Sequence, residues 1–520
     1  MKRSMWNRWS GGLLAAVLGS ALLPMAARAA QHDHPAPEKL GSVDFLVSCE
    51  AAARSQFNRS VALLHSFAYA ESEKAFRQVL ALDPTCAMAH WGVAMSYYHQ
   101  LWEPPLNATD YAKGKSELEQ VTPAQRQSKR EAGFISALGT LYSNGDKQSL
   151  RERMLAYESS MSEVARANPQ DTEAQVFYAL ALLSTAPPTE RTHANQKRAM
   201  AILEPLYAAN PQHPGIAHYL IHACDNTELA SQGVQAARDY SKIAPSAPHA
   251  LHMPSHIFTR LGMWNDSVVS NQAARHAAQE SGDLGEELHA MDYLTYAFLQ
   301  LGRDDEAAGV IADLRQMSGL SRQQFKVGYA ATAIPVRLAV ERRKWQEAAA
   351  IDPAKNAPPE VCAVAVWARA IGLARLGRTE EASREVAKLT ETERQLRGSG
   401  SRYWADQAAI QIAEGNAWIA LAKGDRASAK KLMASAADLE DSVEKLPLTP
   451  GPIVPAREQL GDLLLELKQP DEALKQFEYS LQQSPGRRNA LLGAKTAAEM
   501  SNNRQKLELY AVELQKLPQR

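Results

Sequence analysis

PAREQLGDLLLELKQPDEALKQFEYSLQQSPG, residues 455–486, reads as two helices of similar length joined by a short turn. Leu460, Gly461 and Leu464 fall on one face of the first helix, and Ala473 and Phe477 on one face of the second, because offsets of three and four residues return to the same side. Gly461 and Ala473 are small enough to let the two helices cross closely. The larger apolar residues fill the space between them, and Pro485 ends the second helix.

The same arrangement recurs along the chain. AFRQVLALDPTCA supplies Phe76 and Pro84, AMAILEPLYAANPQHP supplies Ala199, Leu203 and Pro211, and AARDYSKIAPSAP supplies Ala237 and Pro245. Leu-Gly turns return at Gly262, Gly302 and Gly377, each before a helix rich in Ala and Glu. No sustained alternation of apolar and polar residues marks a strand, and no Asn-Gly or Asp-Gly hairpin joins β-branched runs. The expected fold is all-α, a solenoid of stacked antiparallel helix pairs.

Across most of the chain this pattern resembles the tetratricopeptide-repeat superfamily. More narrowly, SCEAAARSQFNRSVALLHSFAYAESEKAF, CAMAHWGVAMSYYHQLW, HALHMPSHIFTRLGMW and PGPIVPAREQLGDLLLEL are similar to a group of exported bacterial repeat proteins. The resemblance implies a right-handed superhelix whose first helices line a concave surface, with a protein or peptide partner in that groove. It brings no activity with it.

Two stretches of this array carry unusual chemistry. PGIAHYLIHAC (214–224) holds His218 and His222, and PHALHMPSHIF (248–258) holds His249, His252 and His256. His218 and His252, like His222 and His256, stand 34 residues apart. Between the two stretches only the leading Pro and these two His coincide, so simple copying of a unit is a poor explanation. Residues four apart on a helix share a face, and neighbouring helices pack about 8–10 Å apart, so four imidazoles are expected to converge. Neutral imidazole binds zinc, copper or iron well, and a divalent transition metal held by His218, His222, His252 and His256 is the expectation. Asp225 and His249 extend the same stripes. Aligned by the Leu-Gly turns, His289, Asp292 and Tyr296 take the places of His249, His252 and His256 in the next unit.

A second candidate group, His65, His99, Trp91 and Trp102, rests on another 34-residue interval, from His65 to His99. Core packing is the competing account of it, as it is for Met88 and Met95. No His follows His289.

The function classes narrow accordingly. There is no His-Glu-x-x-His, no Gly-rich phosphate loop, no Gly-x-Ser-x-Gly and no paired-Cys zinc ribbon. The histidine cluster therefore reads as part of an exported scaffold, with a metal-dependent hydrolase or oxidoreductase as the alternative and no catalytic residue assigned. Without metal, clustered imidazoles would serve as a pH sensor.

Lys2, Arg3 and Arg8 precede an apolar run and Ala27-Arg28-Ala29, the form of a cleavable signal peptide over 1–29. Its removal leaves 53 basic against 58 acidic residues, which gives no electrostatic reason to expect nucleic acid. No later run is long enough for membrane insertion, and no Cys follows the cleavage site to carry a lipid. The expected location is the periplasm or outside the cell. Cleavage after Ala29 would place His32 third, a copper- or nickel-chelating terminus. Cys49 and Cys86 could pair in that compartment. The expected divisions are an N-terminal extension over 30–48, an array with the histidine-lined groove over 49–302, irregular helical repeats over 303–450 and a C-terminal unit over 451–520.

Overall fold

The computed structural model describes residues 38–101, 106–125, 128–354 and 356–517. The signal-peptide stretch, His32 and Trp102 lie outside these residues. From Lys39 onward the chain forms one compact unit, and the described residues contain helices and turns without a strand.

Helices alternate in direction and stack in order. Ala51–His65 packs on Tyr69–Leu82, which packs on Ala87–Ser96, and helices two apart also touch, as do Ala51–His65 and Ala87–Ser96. Packing mostly between neighbours is what a chain of two-helix units produces, but Ala51–His65 also meets Pro214–Cys224 and Leu284–Leu301 meets Arg488–Met500. The 455–486 stretch forms Ala456–Glu466 and Pro470–Gln483. Gly461 lies where the helices cross, and a Cβ added there would stand 2.7 Å from the ring of Phe477. Irregular spacing over 303–450 reflects helices of unequal length, from Trp345–Ala350 to Arg402–Ala422, in the same antiparallel stacking. Cys49 and Cys86 are joined by a disulfide that ties the start of the first helix to the start of the third. Among the described residues no helix is long and apolar enough to cross a membrane.

One bend bears on the site. Phe67, between the first two helices, has φ of +54°, a left-handed conformation uncommon for a bulky residue. Its ring lies 4.4 Å from that of His218 and stacks on His222 and His249 at 5.7 and 5.5 Å.

Candidate metal centre

Both histidine stretches begin with Pro in the first turn of a helix, where a missing N–H costs nothing. In Pro214–Cys224 this places His218 and His222 one turn apart on one face. In the second stretch Pro254 cannot donate, so the helix is interrupted between Pro248–His252 and Pro254–Arg260. Met253 nevertheless keeps helical angles, and His252 and His256 stay in register.

The four predicted imidazoles converge, and His249 and His289 join them. His218 lies 4.8 Å from His222 and 5.0 Å from His249, ring centre to ring centre. His252 lies 5.0 Å from His256 and 4.3 Å from His289. All six except His222 are buried, and His222 is half-buried. Burial, and then repulsion from neighbouring imidazoles that would share any added positive charge, hold His218, His222, His252 and His289 well below the ordinary imidazole value. His256 is lowered by burial in spite of Asp225. These five rings are therefore neutral at neutral pH, the form that binds metal.

Their hydrogen bonds fix which nitrogen carries the proton. Asn271 on the helix Trp264–Ser281 donates its amide N–H to the Ser267 carbonyl at 2.8 Å, which leaves its Oδ1 to accept from His252 Nδ1 at 2.6 Å. His256 Nδ1 donates to Asp225 Oδ2 at 2.9 Å. Both rings then present an unprotonated Nε2, and these two atoms stand 3.0 Å apart. The Tyr293 hydroxyl lies 3.5 and 3.4 Å from His256 Nδ1 and Nε2, at the long end of hydrogen bonding. The two Nε2 lone pairs repel unless a cation lies between them. In the other pair, His218 Nδ1 donates to the His65 carbonyl at 2.6 Å, so its bare Nε2 faces His222 Nε2 at 3.1 Å. His222 Nδ1 is buried without a partner.

Asp225 is the anchor behind His256. Burial works against its charge, but Lys445 at 2.9 Å and Arg260 at 2.9 Å hold it well below the usual carboxylate range. Lys445 is itself pushed down to about 8 by burial, with Asp225 opposing. Lys445 belongs to the segment 442–455, which reaches residues far away in the sequence. Glu444 pairs with Arg260, and the carbonyls of Gly451 and Pro452 face Arg337. A cleft lined by Arg260, Tyr296, Glu444, Lys445, Gly451 and Arg457 opens beside this ion network.

The surroundings of the cluster differ from the sequence reading in part. The imidazoles are closed in by neighbours: Phe67 packs on the rings of His218, His222 and His249, and Lys445 reaches Asp225 behind His256. Asp292 and Tyr296 leave the cluster. Asp292 forms a two-point ion pair with Arg337 at 2.6 and 3.2 Å, and the Tyr296 hydroxyl accepts from Arg487 at 2.9 Å. On Leu284–Leu301 the face toward the imidazoles carries His289 and Tyr293, one turn apart.

The second candidate group does not assemble. Trp91 is buried among Phe45, Phe134 and Phe177, and His99 stacks on Tyr69 at 4.4 Å. His65 instead meets Glu173 and His213, two residues the sequence did not mark. That trio is complete as hydrogen bonds. His213 Nδ1 accepts from the Ile216 N–H, so its Nε2 donates to Glu173 at 2.9 Å. His65 Nε2 donates to the other carboxylate oxygen at 2.9 Å, while Tyr219 bonds its Nδ1 at 2.9 Å. Every ring nitrogen there is used, which fits a structural network better than a metal. Cys49, Cys86 and Asp83 also lie together, but the thiols are consumed by the disulfide.

No protein-family model matches the chain. No curated protein is similar to it at a significant level. Among solved structures, the P58(IPK) TPR domain matches over 88% of this chain and 100% of its own, with 12% identity and a TM-score of 0.22. The human IFIT1 dimer with m7Gppp-AAAA matches over 83% and 90%, with 11% identity and a TM-score of 0.36. Yeast Tom70 matches over 86% and 89%, with 10% identity and a TM-score of 0.33. The fold assignment rests on the chain's own packing: helix pairs stacked in order, with small residues at their crossings, make it an all-α solenoid.

Proposed function

We propose that this chain is an exported helical-repeat scaffold that holds a divalent transition metal through His218, His222, His252 and His256. The observation that carries the reading is the His252–His256 pair, whose unprotonated Nε2 atoms face each other at 3.0 Å. Two ligands at about 2.05 Å from a tetrahedral zinc ion stand about 3.3 Å apart, so the pair needs to open by only a few tenths of an ångström. Asn271 and Asp225 serve as the outer partners that fix ring orientation and raise ligand basicity. An all-imidazole set suits zinc, copper or iron.

Burial favours a held ion over a site for a solvent-borne substrate. A protein or peptide reaching the imidazoles would have to displace the neighbours that close them in, so metal-dependent hydrolysis or oxidation is the less supported use.

The test is elemental analysis of untagged protein after dialysis, beside a His252→Ala/His256→Ala variant checked for helicity. Metal retained by the first and lost by the second supports the proposal. Metal-free wild type that also fails to take up zinc or copper against a weak chelator overturns it. Export is tested separately, by cell fractionation and sequencing of the mature N-terminus.

A further inference from the structure

We infer that the cluster holds two ions at equivalent places one repeat apart, not one ion shared by four histidines; this rests on the metal reading above and sharpens it. The ligand atoms of His218, His222 and His249 lie within 4.8 Å of one another, and so do those of His252, His256 and His289. Each trio has the same construction: a His-x3-His pair on one unit and a third His from the unit that follows. His249 stands three residues before the pair of its own unit, and His289 occupies the matching place on the next first helix. The interval from His249 to His289 is 40 residues rather than 34, because the intervening helix Trp264–Ser281 is long.

Ring distances group the histidines around two hubs, although His256 and His289 of one trio lie 6.4 Å apart, no closer than rings of different trios. His218 is the hub of one and His252 of the other, with partner rings at 4.3 to 5.0 Å. Across the trios, His222 faces His256 and His249 faces His252, both at 6.1 Å. A single ion with bonds near 2.0–2.1 Å is served better by either trio than by two members of each.

The outer partners repeat as well. His256 has Asp225 behind it, and Asp225 is paired with Lys445. His249 Nδ1 lies 3.3 Å from Glu286, and Glu286 is paired with Lys326. Each trio thus has one carboxylate backed by one lysine. The preceding unit shows where the series stops. The position 34 residues before His249 is Gly215, and a Cβ there would stand 2.5 Å from His65 Nδ1. The ring of His65 fills that place and is committed to Glu173 and Tyr219, so no third trio forms.

The experiment is titration of metal-stripped, untagged full-length protein with Co2+, read by the visible ligand-field bands and by competition with a chelator. Two ions per chain are expected. His249→Gln should remove one and leave the other, and His289→Gln should do the converse, with circular dichroism confirming the fold. One ion in the wild type, lost on either substitution, would overturn the two-ion inference and leave the metal reading standing. No uptake by folded wild type would overturn both.

Discussion

His256 Nδ1 and Lys445 Nζ share one oxygen of Asp225, each at 2.9 Å, so a residue 220 positions away sets the charge behind a candidate metal ligand. Asp225 stays ionised because Lys445 and Arg260 compensate for its burial, and it keeps the His256 proton on Nδ1. Lys445→Met should loosen this arrangement without removing a ligand. A fall in metal affinity of roughly 10- to 100-fold, the usual cost of losing an outer partner, is expected by chelator competition. Unchanged affinity would show that Asp225 needs only Arg260.

Asn271 fixes the other half of the pair. Asn271→Leu keeps the volume but offers no acceptor to His252 Nδ1–H, leaving a buried donor unsatisfied. The variant should lose about 1–3 kcal/mol of stability and bind metal more weakly, both measurable by thermal melts with and without metal. Metal-dependent stabilisation equal to that of wild type would contradict the role given to Asn271.

Gly461→Val tests the solenoid apart from the site. The added side chain must push against Phe477 at the crossing of Ala456–Glu466 and Pro470–Gln483. A loss of about 1–3 kcal/mol is expected, with metal stoichiometry unchanged. Hydrogen exchange should report faster opening greatest in the C-terminal units, extending no further than the helix Leu284–Leu301 that packs on Arg488–Met500.

Glu440 gives a pH dependence that is independent of the histidines. Burial raises its carboxyl from 4.5 to about 7 in the folded chain. The folded state therefore binds the proton more tightly than the unfolded one. The resulting stability is fully present below about pH 4.5 and is lost as pH rises through about 7. Glu440→Gln keeps an acceptor for the Ala456 N–H and should flatten that decline, which denaturant melts at pH 5 and pH 8 would show.

The fold was legible because several helix pairs repeat at a regular interval and write their period into the chain. Gly461, Ala473, Phe477 and Pro485 each answer a packing need that the sequence displays. The histidine pairs were legible for the same reason. Tyr293 was within reach, since it stands one turn from His289, but aligning Leu-Gly turns pointed to Asp292 and Tyr296 on a neighbouring face. That alignment matches His289 to His249, but the helix of His252 and His256 is interrupted at Pro254 whereas Leu284–Leu301 runs unbroken, so the later positions do not carry over. Asn271, Glu286 and Lys445 come from other helices or from an aperiodic segment, and only tertiary packing brings them in. The segment 442–455 had no signal either, because its buried apolar side chains, Leu448, Ile453 and Val454, and its ion pairs follow no repeat period.

The most direct measurement is a crystal of metal-loaded protein with anomalous data collected above and below the absorption edge of the added ion. The account predicts a peak about 2.0–2.1 Å from Nε2 of both His252 and His256, with Nδ1 of each ring still on Asn271 and Asp225. Well-ordered rings with no peak between them, and an N–H···N hydrogen bond in its place, would contradict it.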